Sequence, residues 1–188
     1  TLQSSIEILE YYIRKGNSPR QEETIAKIKR ILLYLNGTIN NMTTLYRYDL
    51  SKQKLSLSKI NIRLFTNELL EEIVLNINES HLIQIDIDPN LNEITCDEFV
   101  LTQILLNLIN TSVKFSPKGG QIIIGITREG RFIEFMVKDE GIGIEKRDLK
   151  NIFRPFVRGK NAMTFPGSGL GLAIAKKLAD LHGAKIYC

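Results

Sequence analysis

What the chain has little of narrows its reading before any motif is sought. It holds two cysteines, Cys96 and Cys188. They lie far apart and fit neither a disulfide framework nor a metal-ligand spacing. Its two histidines, His81 and His182, have no clustered partners, which argues against zinc. Cysteine this sparse points to a reducing, cytoplasmic setting. No apolar run approaches the ~20 residues that span a bilayer, and no signal peptide is visible. Any membrane attachment is expected in regions of a parent protein outside this sequence. Low-complexity tracts and internal repeats are also missing. The charge excess is small: 25 basic against 21 acidic residues leave +4, spread along the chain. That does not argue for nucleic acid, and it is compatible with a phosphate-rich ligand.

What is present is an ordinary globular composition, 43% hydrophobic and 24% charged over 188 residues. This suffices for one domain and an appendage. The start reads as helix, with Leu2, Ile6, Leu9 and Ile13 at helical spacing. Gly16, Asn17, Ser18 and Pro19 then break the pattern. A second helix carries Ile25, Ile28, Leu32, Leu35, Ile39, Met42 and Tyr46, stepping three and four alternately. So continuous a stripe predicts a hairpin completed by a second copy, a homodimer. The alternative is that it packs on the chain's own globular part. Thr1 leads straight into the pattern, so the chain is expected to be a piece cut inside a helix.

Residues 49–62 read as a polar connection with a short strand over 55–57. Beyond it the pattern is mixed. The expected elements are a helix over 63–78, a half-buried strand over 82–88 ended by Pro89 and Asn90, and a helix over 98–113 capped by Asp97. Strands over 121–127 and 131–138 follow, joined at Glu129-Gly130. A glycine-rich loop, a variable loop and a helix over 169–182 close the chain. The fold class is α+β: a two-helix hairpin over residues 1–50, then an α/β sandwich over 51–188 with helices on one sheet face.

Three stretches carry chemistry. Asp139-Glu140-Gly141-Ile142-Gly143-Ile144 leaves a strand, where glycines let backbone approach a ligand and a carboxylate accepts from a ligand amine. An ordinary strand-exit turn has the same pattern. Gly167-Ser168-Gly169-Leu170-Gly171-Leu172 opens the last helix, whose N-terminal N–H groups suit a phosphate; a glycine hinge is the alternative. With no strand directly before it and no Walker lysine, a dinucleotide fold is disfavoured. Asn107 and Thr111, four apart, share a helix face at the edge of a stripe formed by Leu101, Ile104, Leu105 and Leu108. Lys114 adds a cation. The alternative there is a solvated polar edge.

In this order, with Phe153-Arg154-Pro155-Phe156 between the glycine loops, the motifs resemble the N, G1, F and G2 boxes of the histidine kinase branch of the GHKL ATPases. The resemblance implies a Bergerat-type sandwich that binds ATP and Mg²⁺. Asp139 would meet the adenine amino group, with Gly141, Gly143 and Ile144 shaping its pocket. Asn107 and Thr111 would hold the metal, and Lys114 and Arg158 the phosphates. Gly167, Gly169, Leu170, Gly171 and Leu172 would close over them. Phe153 and Phe156 would anchor a lid over 157–168, or serve as plain core aromatics. The hairpin resembles the dimerisation and phosphotransfer domain, Leu2-Gln3-Ser4 and Leu9-Glu10 being similar to the stretch after the phosphoacceptor histidine. That histidine is expected just before Thr1, leaving no catalytic residue within the chain. The implied partners are a second copy and a response regulator receiver domain in a phosphorelay.

Two departures from the family pattern stand out. The family has a second asparagine where this chain has Thr111, so weakened Mg–ATP use is expected. Thr1 stands where proline is usual, and Cys188 ends the chain before the closing strands. The fragment is therefore expected not to autophosphorylate in the family manner. The expected function is ATP-dependent protein-histidine kinase, the alternative a dimeric signalling pseudokinase. A gyrase-like ATPase shares the cleft but not the hairpin or the phenylalanine box.

Overall fold

A computed structural model describes residues 2–16, 18–49, 54–74, 80–165 and 167–188. The chain divides into two units, residues 1–44 and 45–188.

The first unit holds helix α1 (Leu2–Arg14) and most of α2 (Ser18–Asp49). Gly16 ends α1 at φ 65°, its N–H donating to the Ile13 carbonyl at 3.1 Å. Glycine takes this left-handed cap without the Cβ penalty. Ser18 and Pro19 open α2 rather than lying in the break. A proline fits a first turn because its missing N–H would be unpaired there anyway. Asn17 lies outside the described residues. The Gln21 amide donates to the Tyr12 carbonyl at 3.0 Å, tying the start of α2 to α1. Ile6, Ile13, Ile25, Leu32, Leu35 and Ile39 are between 40% and 59% exposed, so much of the apolar stripe faces outward. The side chains of Met42 and Tyr46 lie outside the described residues.

The second unit is built on two sheets. Strand β1 (Ser58–Asn61) pairs antiparallel with β3 (Glu93–Cys96), Ile60 facing Ile94. Strands β2 (His81–Ile87), β4 (Gly120–Glu129) and β5 (Phe132–Asp139) form a mixed sheet in the order β2-β4-β5. β2 runs parallel to β4, and β5 is antiparallel to it. Helix α3 spans Ile62–Val74, and the rest of the helix expected over 63–78 lies outside the described residues. Asn61 caps it, its Oδ1 accepting from the N–H groups of Arg63 and Leu64. Helices α4 (Glu98–Phe115) and α5 (Gly171–Leu181) complete the layer.

The core follows from these periods. α3 presents Phe65, Leu69 and Ile73, and α4 presents Leu101, Leu105 and Ile109. Both cover Ile124 and Ile126 of β4, with Ile83 and Ile85 of β2 and Phe135 and Val137 of β5 at the margin. Leu82 was expected in the strand and is there, but it faces out at 66% exposed. Burial, then the carboxylates of Asp97 and Glu98, push the Cys96 thiol up to about 11, which makes it an inert core residue.

A second cluster joins α4 to α5 through Val100, Leu170, Ile174 and Leu178, with Leu55 and Ile104 packed against it. The strand expected over 55–57 is therefore absent; Leu55 lies on helices, and the strand starts at Ser58. Asp97 pins this junction. Its Oδ1 accepts from the Val100 N–H at 3.1 Å, and its Oδ2 from the Ser56 N–H at 2.8 Å. Its own N–H donates to His182 Nε2 at 2.9 Å. Replacing Asp97 by alanine is expected to lower stability by about 1 kcal/mol, the usual worth of an N-cap. Urea denaturation measures it, and an unchanged midpoint would refute the cap's role.

Candidate nucleotide-binding site

The helix period explains why three backbone stretches converge on the second half of α4. Val100, Ile104, Asn107, Thr111 and Lys114 step by four, three, four and three residues, so they form one stripe. Its apolar start packs on the body of α5. Its polar end meets the approach to α5, where only glycines leave room. A Cβ on Gly171 would lie 3.4 Å from Asn107 Oδ1 and 3.6 Å from Thr111 Oγ1. One on Gly167 would lie 2.1 Å from Lys114 Nζ. Asn107 and Thr111 thus continue the α5-facing stripe rather than edging the sheet-facing one, as the sequence suggested. The Asn107 amide N–H donates to the Gln103 carbonyl at 2.8 Å, leaving Oδ1 as the acceptor beside Gly171. The Thr111 hydroxyl donates to the Asn107 carbonyl at 2.7 Å.

The start of α5 suits an anion. Its N-cap, Leu170, makes no side-chain capping bond, so the first N–H groups keep their partial positive charge. Lys114 stands beside Gly167, on the approach to this helix. Burial, then the neighbouring Arg158 cation, lower its pKa from the ordinary lysine value. A bound anion would oppose that shift by favouring the charged form.

Asp139 reaches the site by strand alternation. Ile133, Phe135 and Val137 of β5 face the helices, and Asp139 is next on that face, paired with Ile122 of β4. Its Oδ1 accepts from the Gly141 N–H at 2.9 Å. The turn then docks on the end of α4: the Ile142 N–H donates to the Phe115 carbonyl at 3.0 Å. Gly141 is required by this approach, since a Cβ there would lie 2.4 Å from the Phe115 oxygen. Gly143 takes φ 67°. Ile142 and Ile144 are 39% and 43% exposed.

Phe156 is not a core aromatic. It is 66% exposed and holds φ 64°, a strained conformation for a bulky residue. Its N–H donates to the Gly169 carbonyl at 3.1 Å, joining the phenylalanine box to the second glycine loop. Phe153 is half-buried. The Leu170 side chain is fully buried in the α4–α5 cluster, so only its backbone can meet a ligand. Leu172 is half-buried. Pro166, within the lid expected over 157–168, lies outside the described residues.

A groove of about 490 Å³ lined by Arg63, Ile85, Asp86, Ile87, Asp88 and Thr127 lies at the other end of β4 from Asp139. Its carboxylates are already engaged, Asp86 by the Gln84 amide and Asp88 by the Asn90 N–H.

Residues 96–188 match the family of histidine kinase-, DNA gyrase B- and HSP90-like ATPases. The sensor histidine kinase WalK of Bacillus subtilis (strain 168) is 32% identical over 154 residues, covering 79% of this chain and 25% of that protein. The chain carries a sensor histidine kinase catalytic domain. A sensor-like histidine kinase of Rhizobium meliloti (strain 1021) is 28% identical over 178 residues, 93% of this chain and 34% of its own length. The chain therefore spans about a third or less of these two relatives. The solved full-length histidine kinase ShkA, in complex with AMPPNP, superposes with a TM-score of 0.69 at 26% identity over 90% of this chain and 34% of its own. The fold is thus the α/β sandwich of histidine kinase catalytic domains.

In this histidine kinase catalytic domain the structure adds three residues to those read from the sequence. The Phe115 ring lies 5.2 Å from that of Phe165, and Asn161 donates to the Gly143 carbonyl at 3.0 Å. Phe115 directly follows Lys114, so its place beside the motif was a usable signal. Asn161 and Phe165 sit in the variable loop, where no period or spacing marks them.

Proposed function

We propose that the chain is the ATP-binding core of a protein-histidine kinase of a two-component system, with a dimerisation hairpin over residues 1–50 and the catalytic domain over 51–188. One observation carries the reading. The second half of α4 meets both glycine loops: Asn107 and Thr111 lie beside Gly171 at the start of α5, and the Phe115 carbonyl takes the Asp139–Gly143 turn.

In this reading Asp139 accepts from the adenine amino group through the oxygen that Gly141 does not occupy. Gly141, Gly143 and Ile144 shape the base pocket. Lys114 and Arg158 neutralise phosphate charge, while the backbone of Gly167, Gly169, Leu170, Gly171 and Leu172 encloses the phosphates. Phe156 anchors the lid. Asn107 and, more weakly, Thr111 offer the oxygens a hard cation needs; Mg²⁺, when bound, supplies further charge neutralisation at the phosphates. The chain's contribution is positioning and electrostatics, with little covalent work.

The proposed phosphoacceptor is a histidine outside these residues. Both histidines here have other work: His81 Nε2 bonds with the Ser116 carbonyl at 2.9 Å, and His182 Nε2 accepts from Asp97. The proposed partners are a second copy, through the exposed hairpin stripe, and a response regulator receiver domain. Among the described residues no helix is long and apolar enough to cross a membrane.

Thr111 favours a second reading, a signalling pseudokinase. Its hydroxyl bends back onto the Asn107 carbonyl, and it is shorter than the asparagine the family places there. Calorimetric titration of ATP with and without Mg²⁺, then transfer of labelled phosphate to a histidine-bearing hairpin, separates the two. The kinase reading requires Mg²⁺-dependent binding and an acid-labile, alkali-stable product. Binding without transfer, or no binding of ATP or ADP at all, refutes the kinase and supports the pseudokinase.

A further inference from the structure

The described part of the lid is folded onto itself and onto the site. Arg158 Nη2 donates to the carbonyls of Ala162 and Phe165, drawing the chain around the turn Lys160–Ala162. Asn161 fastens that turn to the Gly143 carbonyl at 3.0 Å. Phe165 is thereby set edge-on against Phe115, with ring centroids 5.2 Å apart and planes at 64°. Lys114 Nζ lies 4.6 Å from the centroid of the same Phe115 ring. An aromatic and a cation therefore already occupy the Phe115 ring, whose carbonyl holds the first glycine turn.

We infer that Phe165 is an internal occupant of Phe115, a latch that a nucleotide base must displace before the site can fill. The inference rests on the nucleotide reading above. Both aromatic arrangements are favourable, so the exchange is close to balanced and the latch is weak enough to open. Arg158 is bound into the same event. Its guanidinium holds the Phe165 carbonyl, so Phe165 leaving Phe115 also releases Arg158 toward a phosphate. Base stacking and phosphate contact thus become available together. Lys114 gains likewise, since a phosphate gives its ammonium a better partner than a ring face.

The test uses the full chain, ADP as probe with and without Mg²⁺, and Phe165→Ala. Removing one edge-on aromatic pair is expected to tighten ADP binding about threefold. Without nucleotide, trypsin should cut the variant faster after Arg158 or Lys160. Phe165→Leu, which keeps bulk but no ring, should fall between the two in affinity. Matching thermal midpoints would show that the fold is intact. Unchanged ADP affinity overturns the latch, and so does weaker binding, which would make Phe165 a clamp on bound nucleotide instead. Unchanged tryptic cleavage overturns it with no nucleotide present. Absence of ADP binding in wild type and variant alike overturns the nucleotide reading, and the latch with it.

Discussion

Gly141→Ala is expected to destabilise the second unit by roughly 2–6 kcal/mol and to abolish nucleotide binding. The new methyl carbon would sit 2.4 Å from the Phe115 carbonyl oxygen and 2.8 Å from Asp139 Oδ1. Neither neighbour can yield cheaply. The Phe115 oxygen is backbone at the end of a packed helix and accepts from the Ile142 N–H. The Asp139 carboxylate is held by the Gly141 N–H itself. Relief requires lifting the turn off α4, which breaks both bonds. Overpacking of this kind costs about 1–3 kcal/mol, and each lost hydrogen bond about 0.5–1.5 kcal/mol. The functional loss follows because the turn positions Asp139 and the exposed Ile142 and Ile144. Gly143→Ala is the comparison. A Cβ there would meet nothing within 4 Å, so only its φ of 67° opposes the change. Urea denaturation and ADP titration report the two effects. If Gly141→Ala folds and binds like wild type, the docking of the turn on α4 is not what builds the site.

Thr111→Asn is expected to tighten Mg²⁺-dependent ATP binding about tenfold, or ~1.4 kcal/mol. Gly171 leaves open space beside residue 111, 3.6 Å from the present hydroxyl at the position of its missing Cβ. An amide can extend where the hydroxyl bends back. Mg²⁺ demands near-ideal octahedral oxygen geometry, so a longer acceptor beside Asn107 Oδ1 should matter more with the metal than without it. Threonine and asparagine have similar helix propensities, so stability should barely change. The measurement is the ratio of ATP affinities with and without Mg²⁺ in both proteins. An unchanged ratio would mean that Thr111 does not limit metal use.

Much of this was legible in the sequence because it is local. Asp97 caps α4 as its type and position require, and the alternation of β5 carries Asp139 to the helix-covered face. The glycines mark where backbone meets another group closely. The three motifs, in their order, pointed to the sensor histidine kinases, whose catalytic domain the chain carries. Other features were not legible. Leu55 could have been strand or loop until α4 and α5 supplied the surface it covers. Leu170 was expected among the phosphate contacts, and its side chain is core, because the same stripe that aims Gly171 at Asn107 also turns it into the α4–α5 cluster; only its backbone is left for that contact. Phe156 had an open reading between lid anchor and core aromatic, and its exposure depends on how its backbone is tied to Gly169.

The sequence by itself determined the helix and strand periods, the caps, and which residue types were available to hold a phosphate or an amine. These depend on neighbours within a turn or two of the chain, and short-range sterics and hydrogen bonding decide them. Only the tertiary structure decided which side of α4 carries the polar stripe, that Phe115 holds the first glycine turn, and that Phe165 lies across it. Those contacts join residues 26 (Phe115 and Gly141) to 64 (Asn107 and Gly171) positions apart, and a packed core, rather than any local preference, fixes them.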